Sequence, residues 1–160
     1  MERIWAPWRM SYISNNTPDQ SCIFCPSEKG DRERLILARS GNSLLMLNRY
    51  PYTGGHVMVA PLRHAAELED LTDSELLDLM HLVCKGRALL CRVVKPDGFN
   101  IGINLGKAAG AGVEEHLHIH IVPRWNGDSN FMTVVGDVRV IPEGLLAAYD
   151  QLSAALAADA

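Results

Sequence analysis

The chain has 160 residues, 48% of them hydrophobic and 21% charged, with a formal net charge of −4. That is enough for one domain with a real core, and it lacks the basic excess that duplex nucleic acid attracts. No apolar run reaches bilayer-spanning length, and the opening Met1-Glu-Arg-Ile-Trp-Ala-Pro-Trp-Arg9 lacks the apolar centre of a signal peptide. The expected compartment is the cytoplasm, with the four cysteines as free thiols.

Residues 1–20 read as an irregular arm in which Trp5, Trp8 and Tyr12 are interleaved with Arg3 and Arg9. Cys22-Ile-Phe-Cys25 follows. Arg34–Arg39 and Ser43–Asn48 read as two strands joined at Gly41-Asn42. Tyr50–Gly55 is a Pro/Gly loop, and His56–Ala60 is a strand ending at Pro61. Thr72-Asp-Ser-Glu75 has the pattern of a capping box that opens a helix. Leu76, Met80, Val83, Ala88 and Cys91 then keep helical spacing to about Val94, and Pro96-Asp97-Gly98 ends it. On that spacing Cys84 and Cys91 share a face and are expected in the core. Phe99–Asn104 is a strand, and Gly106–Gly112 is a loop of small residues. Asn126–Asn130 is a turn, Val134–Ile141 is strand-like, and Pro142 suits the first turn of a closing helix. The elements imply one α+β domain over 1–160, mainly an antiparallel sheet with a long helix and a C-terminal helix. Residues 1–20 are its arm and 129–160 its C-terminal extension.

His116-Leu-His118-Ile-His120 carries the chemistry. Strict alternation is a strand pattern, and alternate side chains of a strand share one face. The three imidazoles are expected in a row of roughly 13 Å, with Leu117, Ile119 and Ile121 opposite. Half of the six histidines stand here. Three imidazoles in a row add little to packing. They suit nucleophilic catalysis, proton transfer or metal binding. Just before them, backbone N–H groups of the loop carrying Gly106, Gly110 and Gly112 could cradle a phosphate. His81, beside Asp78 and Lys85, reads as solvated.

With these residues the chain resembles the histidine triad (HIT) superfamily, whose hallmark is His-x-His-x-His followed by two apolar residues. Leu47-Asn48-Arg49, Gly55–Arg63, the long helix, the Asn104–Gly112 loop and Val122-Pro-Arg124 fall in the family's order, covering residues 22–130. Asn48-Arg and Gly55–Arg63 are similar to the Fhit branch. The Trp-Ala-Pro-Trp-Arg start and Pro123-Arg-Trp-Asn-Gly-Asp128 resemble a bacterial branch that includes diadenosine tetraphosphate phosphorylases.

The resemblance implies a five-stranded HIT-like fold and assigns roles. His118 is the nucleophile, forming a nucleotidyl-histidine. His120 hydrogen-bonds phosphate oxygens and assists the leaving group, and His56 lies near the same phosphates. Asn48 matches a ribose-binding residue and Asn104 a nucleotide contact. Gly110, Gly112 and Val113 match the phosphate loop. Relatives often have Ser or Thr where Val113 stands, so backbone N–H groups or Asn104 must serve there. Neutral imidazole suits the task because phosphate repels anionic nucleophiles. Arg124 reads equally as a phosphate contact or a solvated arginine, and Trp125 and Asp128 have no assigned role.

Cys22-x-x-Cys25 has zinc-ligand spacing but is also compatible with two free thiols. Some HIT relatives build a zinc site from such a pair, a His after the Pro-x-x segment and the first triad His. Here that implies a structural zinc on Cys22, Cys25, His64 and His116. The expected function is cleavage of dinucleoside polyphosphates, diadenosine tetraphosphate foremost, by phosphorolysis or hydrolysis. Inorganic phosphate is a possible co-substrate. A homodimer paired through the helix and a strand is implied, with no nucleic-acid polymer and no membrane as partner. The alternatives are a nucleoside phosphoramidase or adenylyl-sulfate-type hydrolase, and a low-turnover nucleotide sensor.

Overall fold

Two apolar layers on opposite faces of one sheet organise the molecule. The structure, a computed structural model, describes residues 22–128, 141 and 143–158. The arm at 1–20, the strand expected over 134–140 and Pro142 lie outside the described residues. The strands are β1 (Ile36–Arg39), β2 (Ser43–Leu47), β3 (Val57–Pro61), β4 (Gly98–Ile103) and β5 (Ile119–Arg124). They form one sheet in the order β1-β2-β3-β5-β4, and every neighbouring pair is antiparallel. The helices are α1 (Asp31–Arg34), α2 (Asp73–Val93) and α3 (Leu145–Ala157). None of the described helices is long and apolar enough to cross a membrane.

Alternation along the strands assigns the faces. Leu45, Leu47, Val57, Val59, Leu117, Ile119 and Ile121 pack with Leu79, Leu82, Leu89 and Leu90 of α2 and with Leu152 of α3. Leu44, Met46, Met58 and Ala60 face the other way and cluster with Phe24 and Ile36. The triad histidines alternate with the first set and so stand on the second face, opposite the helices.

The predicted capping box opens α2. Thr72 Oγ1 accepts from the Glu75 N–H, and the Glu75 carboxylate accepts from the Thr72 N–H at 2.9 Å. Arg63 grips the same carboxylate with two bonds of 2.9 and 2.8 Å, and this pair holds Glu75 at a pKa of about 2. Gly86 lets α2 approach the sheet. A Cβ there would lie 3.0 Å from Leu45 Cδ1 and 3.2 Å from Ile121 Cδ1.

Three local expectations are corrected. Residues 31–34 form a helical turn that ends with Leu35 in the left-handed region (φ 64°), so β1 starts at Ile36 and not at Arg34. The inward face of α2 is Leu79, Leu82, Val83, Gly86, Leu89 and Leu90. Met80 and Cys84 are exposed and Cys91 is half-buried, so Cys84 is not a core residue. The closing helix begins at Leu145, three residues past Pro142. Trp125 gains a role: its indole N–H donates to the Val94 carbonyl at 3.3 Å and ties the end of α2 to the end of β5.

Candidate functional site

β5 begins at Ile119, so only His120 of the triad lies inside a paired strand. Its register partners are Met58 on β3 and Gly102 on β4. No atom stands within 4 Å of where a Cβ on Gly102 would be, so space is left beside the His120 ring. His116, in a bend, and His118 precede the strand. The ladder stops where Pro61, which has no N–H, comes opposite, and the Leu117 N–H donates instead to the Ala65 carbonyl at 2.7 Å. All three imidazoles are buried.

His118 and His120 meet edge to face, with ring centroids 4.9 Å apart. His118 Nδ1 lies 2.9 Å from the carbonyl oxygen of His116. A carbonyl only accepts, so Nδ1 carries the proton and Nε2 keeps its lone pair. Phe24, at 1% exposure, stacks on the His118 ring with centroids 5.0 Å apart and planes 29° apart.

His56, expected at the start of β3, precedes that strand by one residue and is fully buried. Its Nε2 lies 3.0 Å from His120 Nδ1. The Tyr52 N–H, which only donates, reaches His56 Nδ1 at 3.1 Å. His56 Nδ1 is therefore the acceptor and Nε2 carries the hydrogen, donated to His120 Nδ1. His120 is left with an outward Nε2–H. Asn104 Nδ2 lies 3.5 Å from that nitrogen, so the amide must turn its Oδ1 inward to accept this hydrogen. Asn48 approaches His56 Nδ1 at 3.4 Å through Nδ2, and its Oδ1 accepts from the Tyr50 N–H at 2.8 Å. A single chain of contacts thus joins Asn48, His56, His120 and Asn104.

Burial sets the charge of these rings. Desolvation, reinforced by the neighbouring imidazoles, lowers the pKa of His56 to about 3 and that of His120 to about 4. Desolvation also lowers His118 and His116, opposed in each by a hydrogen bond to a backbone carbonyl. At neutral pH the site offers uncharged imidazoles, one with a free lone pair and one with an outward N–H.

The glycine-rich loop differs from the expected cradle. The N–H groups of Ala109, Gly110 and Ala111 are bonded to carbonyls of Gly106 and Lys107 within the loop. Gly110 therefore contributes a left-handed turn (φ 90°) and room for a ligand, and its N–H is already used. Val113 is half-buried against the Phe24 cluster, on the triad side of the sheet. Gly112 is exposed beside it. Arg124 is held by Asp128 (Nη2–Oδ1 2.8 Å) and by Asn100 Oδ1 at 2.8 Å, which favours a structural role over a phosphate contact.

Next to this site, Cys22, Cys25, His64 and His116 bring one ligand atom each to within 4.8 Å of one another. Cys22 Sγ to His116 Nδ1 is 3.2 Å, Cys25 Sγ to His64 Nδ1 is 3.2 Å, Cys25 Sγ to His116 Nδ1 is 3.7 Å, and the two Nδ1 atoms are 3.2 Å apart. A tetrahedral ion with metal–nitrogen bonds near 2.0 Å and metal–sulfur bonds near 2.3 Å needs edges of roughly 3.3–3.8 Å, and these four separations lie close to that range. His116 Nε2 lies 2.8 Å from the Pro61 carbonyl oxygen, which places the hydrogen on Nε2 and leaves Nδ1 free to bind. The His116 ring is thus turned towards the cysteines, away from the His118–His120 pair.

Sequence reasoning missed Tyr52 and Phe24. Tyr52 fixes the His56 tautomer through its N–H and stacks on the same ring at 4.7 Å. Backbone donors leave no mark on residue type. Phe24 sits between the two cysteines, a position whose contacts depend on a fold that brings residue 24 to residue 118.

Comparison with known proteins agrees with this arrangement. The family model described as the HIT domain matches residues 29–127. AP-4-A phosphorylase of Mycobacterium tuberculosis is 43% identical over 153 residues, covering 89% of this chain and 78% of the relative. Adenosine 5′-monophosphoramidase of Schizosaccharomyces pombe is 32% identical over 133 residues, covering 83% of this chain and 96% of the relative. A solved structure of a Zn-bound histidine triad family protein from Mycobacterium smegmatis superposes with a TM-score of 0.59 at 31% identity, covering 78% of this chain and 84% of that one. The chain belongs to the histidine triad family.

Proposed function

We propose that the protein cleaves dinucleoside polyphosphates, with diadenosine tetraphosphate the leading substrate, through a nucleotidyl group carried on His118. The orientation of His118 carries the reading: its Nδ1–H is committed to the His116 carbonyl, which leaves an uncharged Nε2 as nucleophile. That nitrogen would attack an α-phosphorus, forming an N–P bond and breaking the bond to the bridging oxygen, so that ATP departs. The His116 carbonyl would stabilise the cationic ring that results. His120, neutral at physiological pH, would donate its Nε2–H to a phosphate oxygen or to the departing oxygen. His56 would keep it in that tautomer. Inorganic phosphate or water would then attack the phosphorus and release ADP or AMP, restoring His118. Asn48, Asn104, Gly110, Gly112 and Val113 would be the nucleotide contacts.

The identity to AP-4-A phosphorylase supports phosphorolysis. Product analysis with and without inorganic phosphate tests it: phosphate-dependent ADP plus ATP marks a phosphorylase, and AMP plus ATP without phosphate marks a hydrolase of the same mechanism. Similarity to adenosine 5′-monophosphoramidase favours one second reading, an enzyme with the same nucleophile and an amine leaving group. Turnover of an adenosine phosphoramidate, with diadenosine tetraphosphate untouched, would select it.

The four-ligand cluster is proposed as a structural zinc site, supported by its geometry and by the zinc-bound relative. Zinc would cross-link the residue 22–25 turn to the end of β3 and to the triad strand. The protein is further read as a cytoplasmic homodimer. The edge of β4 that no described strand pairs, with Ile101 exposed, and exposed Leu77 and Met80 on α2 are consistent with pairing through strand and helix.

A further inference from the structure

The Cys22–Cys25 turn reaches the reactive histidine through the residue between the cysteines. Phe24 is 1% exposed, and its ring touches two members of the triad: the centroid lies 5.1 Å from that of His116 and 5.0 Å from that of His118. Against His118 the planes are nearly parallel, at 29°. The turn that presents Phe24 is closed by the Cys25 N–H donating to the Cys22 carbonyl at 3.1 Å. Arg34 clamps it from outside, donating from Nη2 to the carbonyls of Ile23 at 3.0 Å and Cys25 at 2.7 Å. The side chains of both cysteines converge on His64 and His116. His116 takes part twice: its Nδ1 belongs to the cluster, and its carbonyl holds the His118 Nδ1–H. The Nδ1 bond, the flat face of Phe24 and the edge of His120 bear on the rotation of the His118 ring about its own axis, and the first two supports are anchored to the cluster.

We propose that Phe24 is a positioning residue for His118, and that the Cys22–Cys25 turn, closed by the four-ligand cluster, holds Phe24 in place. This rests on the reading of His118 as nucleophile. A nucleophile free to swing about its χ2 axis spends less time with Nε2 facing the phosphorus, so loosening the turn slows the chemical step more than it weakens substrate binding. Loss of metal from the cluster thereby reaches the reacting nitrogen without touching the nucleotide.

The test combines ring-nitrogen NMR of the zinc-loaded full chain with steady-state kinetics on diadenosine tetraphosphate, comparing wild type, Phe24→Leu and Cys25→Ala. Wild type is expected to show His118 in a single Nδ1–H form. Phe24→Leu, with its zinc content and circular dichroism unchanged, is expected to move both His118 nitrogen signals towards a mixture of tautomers. Its kcat should fall about 10- to 100-fold while KM changes by less than about 3-fold. Cys25→Ala keeps Phe24 and the backbone bonds of the turn but removes the Sγ tie to His64 and His116, and the same displacement of the His118 signals is expected, so the proposal stays testable if Phe24→Leu does not fold. His118 signals and kcat unchanged in these variants would overturn it. The spectra do not depend on turnover. If the nucleophile reading fails, wild type and His118→Ala will turn over alike, whereas the positioning claim fails only if the His118 signals stay fixed.

Discussion

His56 Nε2 donates to His120 Nδ1 across 3.0 Å, between two rings that are both buried and both uncharged at neutral pH. The direction of this bond is set four residues upstream of His56, by the Tyr52 N–H on Nδ1. It turns the last triad histidine into a hydrogen-bond donor aimed out of the sheet. With a pKa of about 4, His120 in the free protein is a neutral donor and not a full acid. Replacing His56 by Ala would leave His120 Nδ1 without its donor and free the ring to adopt the other tautomer. Expected is a fall in kcat of about 10- to 100-fold, with the fold intact by circular dichroism. His56→Gln, which retains a donor, should recover part of the loss.

The same two rings predict acid sensitivity of the fold. Unfolded histidines titrate near 6.5, whereas these titrate at about 3 and about 4 when folded. Between those values the unfolded chain binds more protons, so stability is fully present above about pH 6.5 and falls as pH drops through the interval. The window from pH 6.5 to 5 lies above the ordinary carboxylate range, which separates this loss from that of Glu75 or Asp31. Urea midpoints should fall from pH 7 to 5 in wild type and fall less steeply in His56→Gln.

Metal removal gives a third prediction. Equilibrium dialysis followed by elemental analysis should find one zinc per chain, and Cys22→Ser should lower that content. Chelation should lower the thermal midpoint of wild type and leave that of Cys22→Ser nearly unchanged. Equal midpoints for wild type with and without chelator would contradict the site.

Packing of α2 on the sheet gives a fourth. Gly86→Val places a branched side chain where even a Cβ meets Leu45 and Ile121 at 3.0 and 3.2 Å. Destabilisation of about 1–3 kcal/mol is expected from overpacking, read from denaturant unfolding. Activity per folded molecule should change little, because the triad occupies the opposite face of the sheet.

Much of this architecture is legible in the residues. Alternation in His116–Ile121 separated the histidine face of that segment from its apolar face, and the Thr72–Glu75 box located the start of α2. What was not legible has identifiable causes. Leucines at 76, 77, 79, 82, 89 and 90 surround α2, so apolar spacing alone does not choose a face. Gly86 decides it by close approach, and glycine has no hydropathy signal. The ladder beside His116 ends because Pro61 lacks an N–H, a matter of register that the triad segment itself does not show. In the site, His-x-His-x-His marks the segment that carries the proposed nucleophile, and the proposed zinc ligands converge as the resemblance implied. The tautomers, by contrast, are set by backbone atoms of Tyr52 and His116, which any residue would supply.

The central claim is that His118 carries the nucleotidyl group. Rapid quenching of the enzyme with diadenosine tetraphosphate, followed by peptide mapping by mass spectrometry, tests it directly. An adenylyl group on the peptide at His118, absent from His118→Ala together with turnover, is the predicted result. Turnover by His118→Ala at the wild-type rate, or an adenylyl group on another residue, would contradict it.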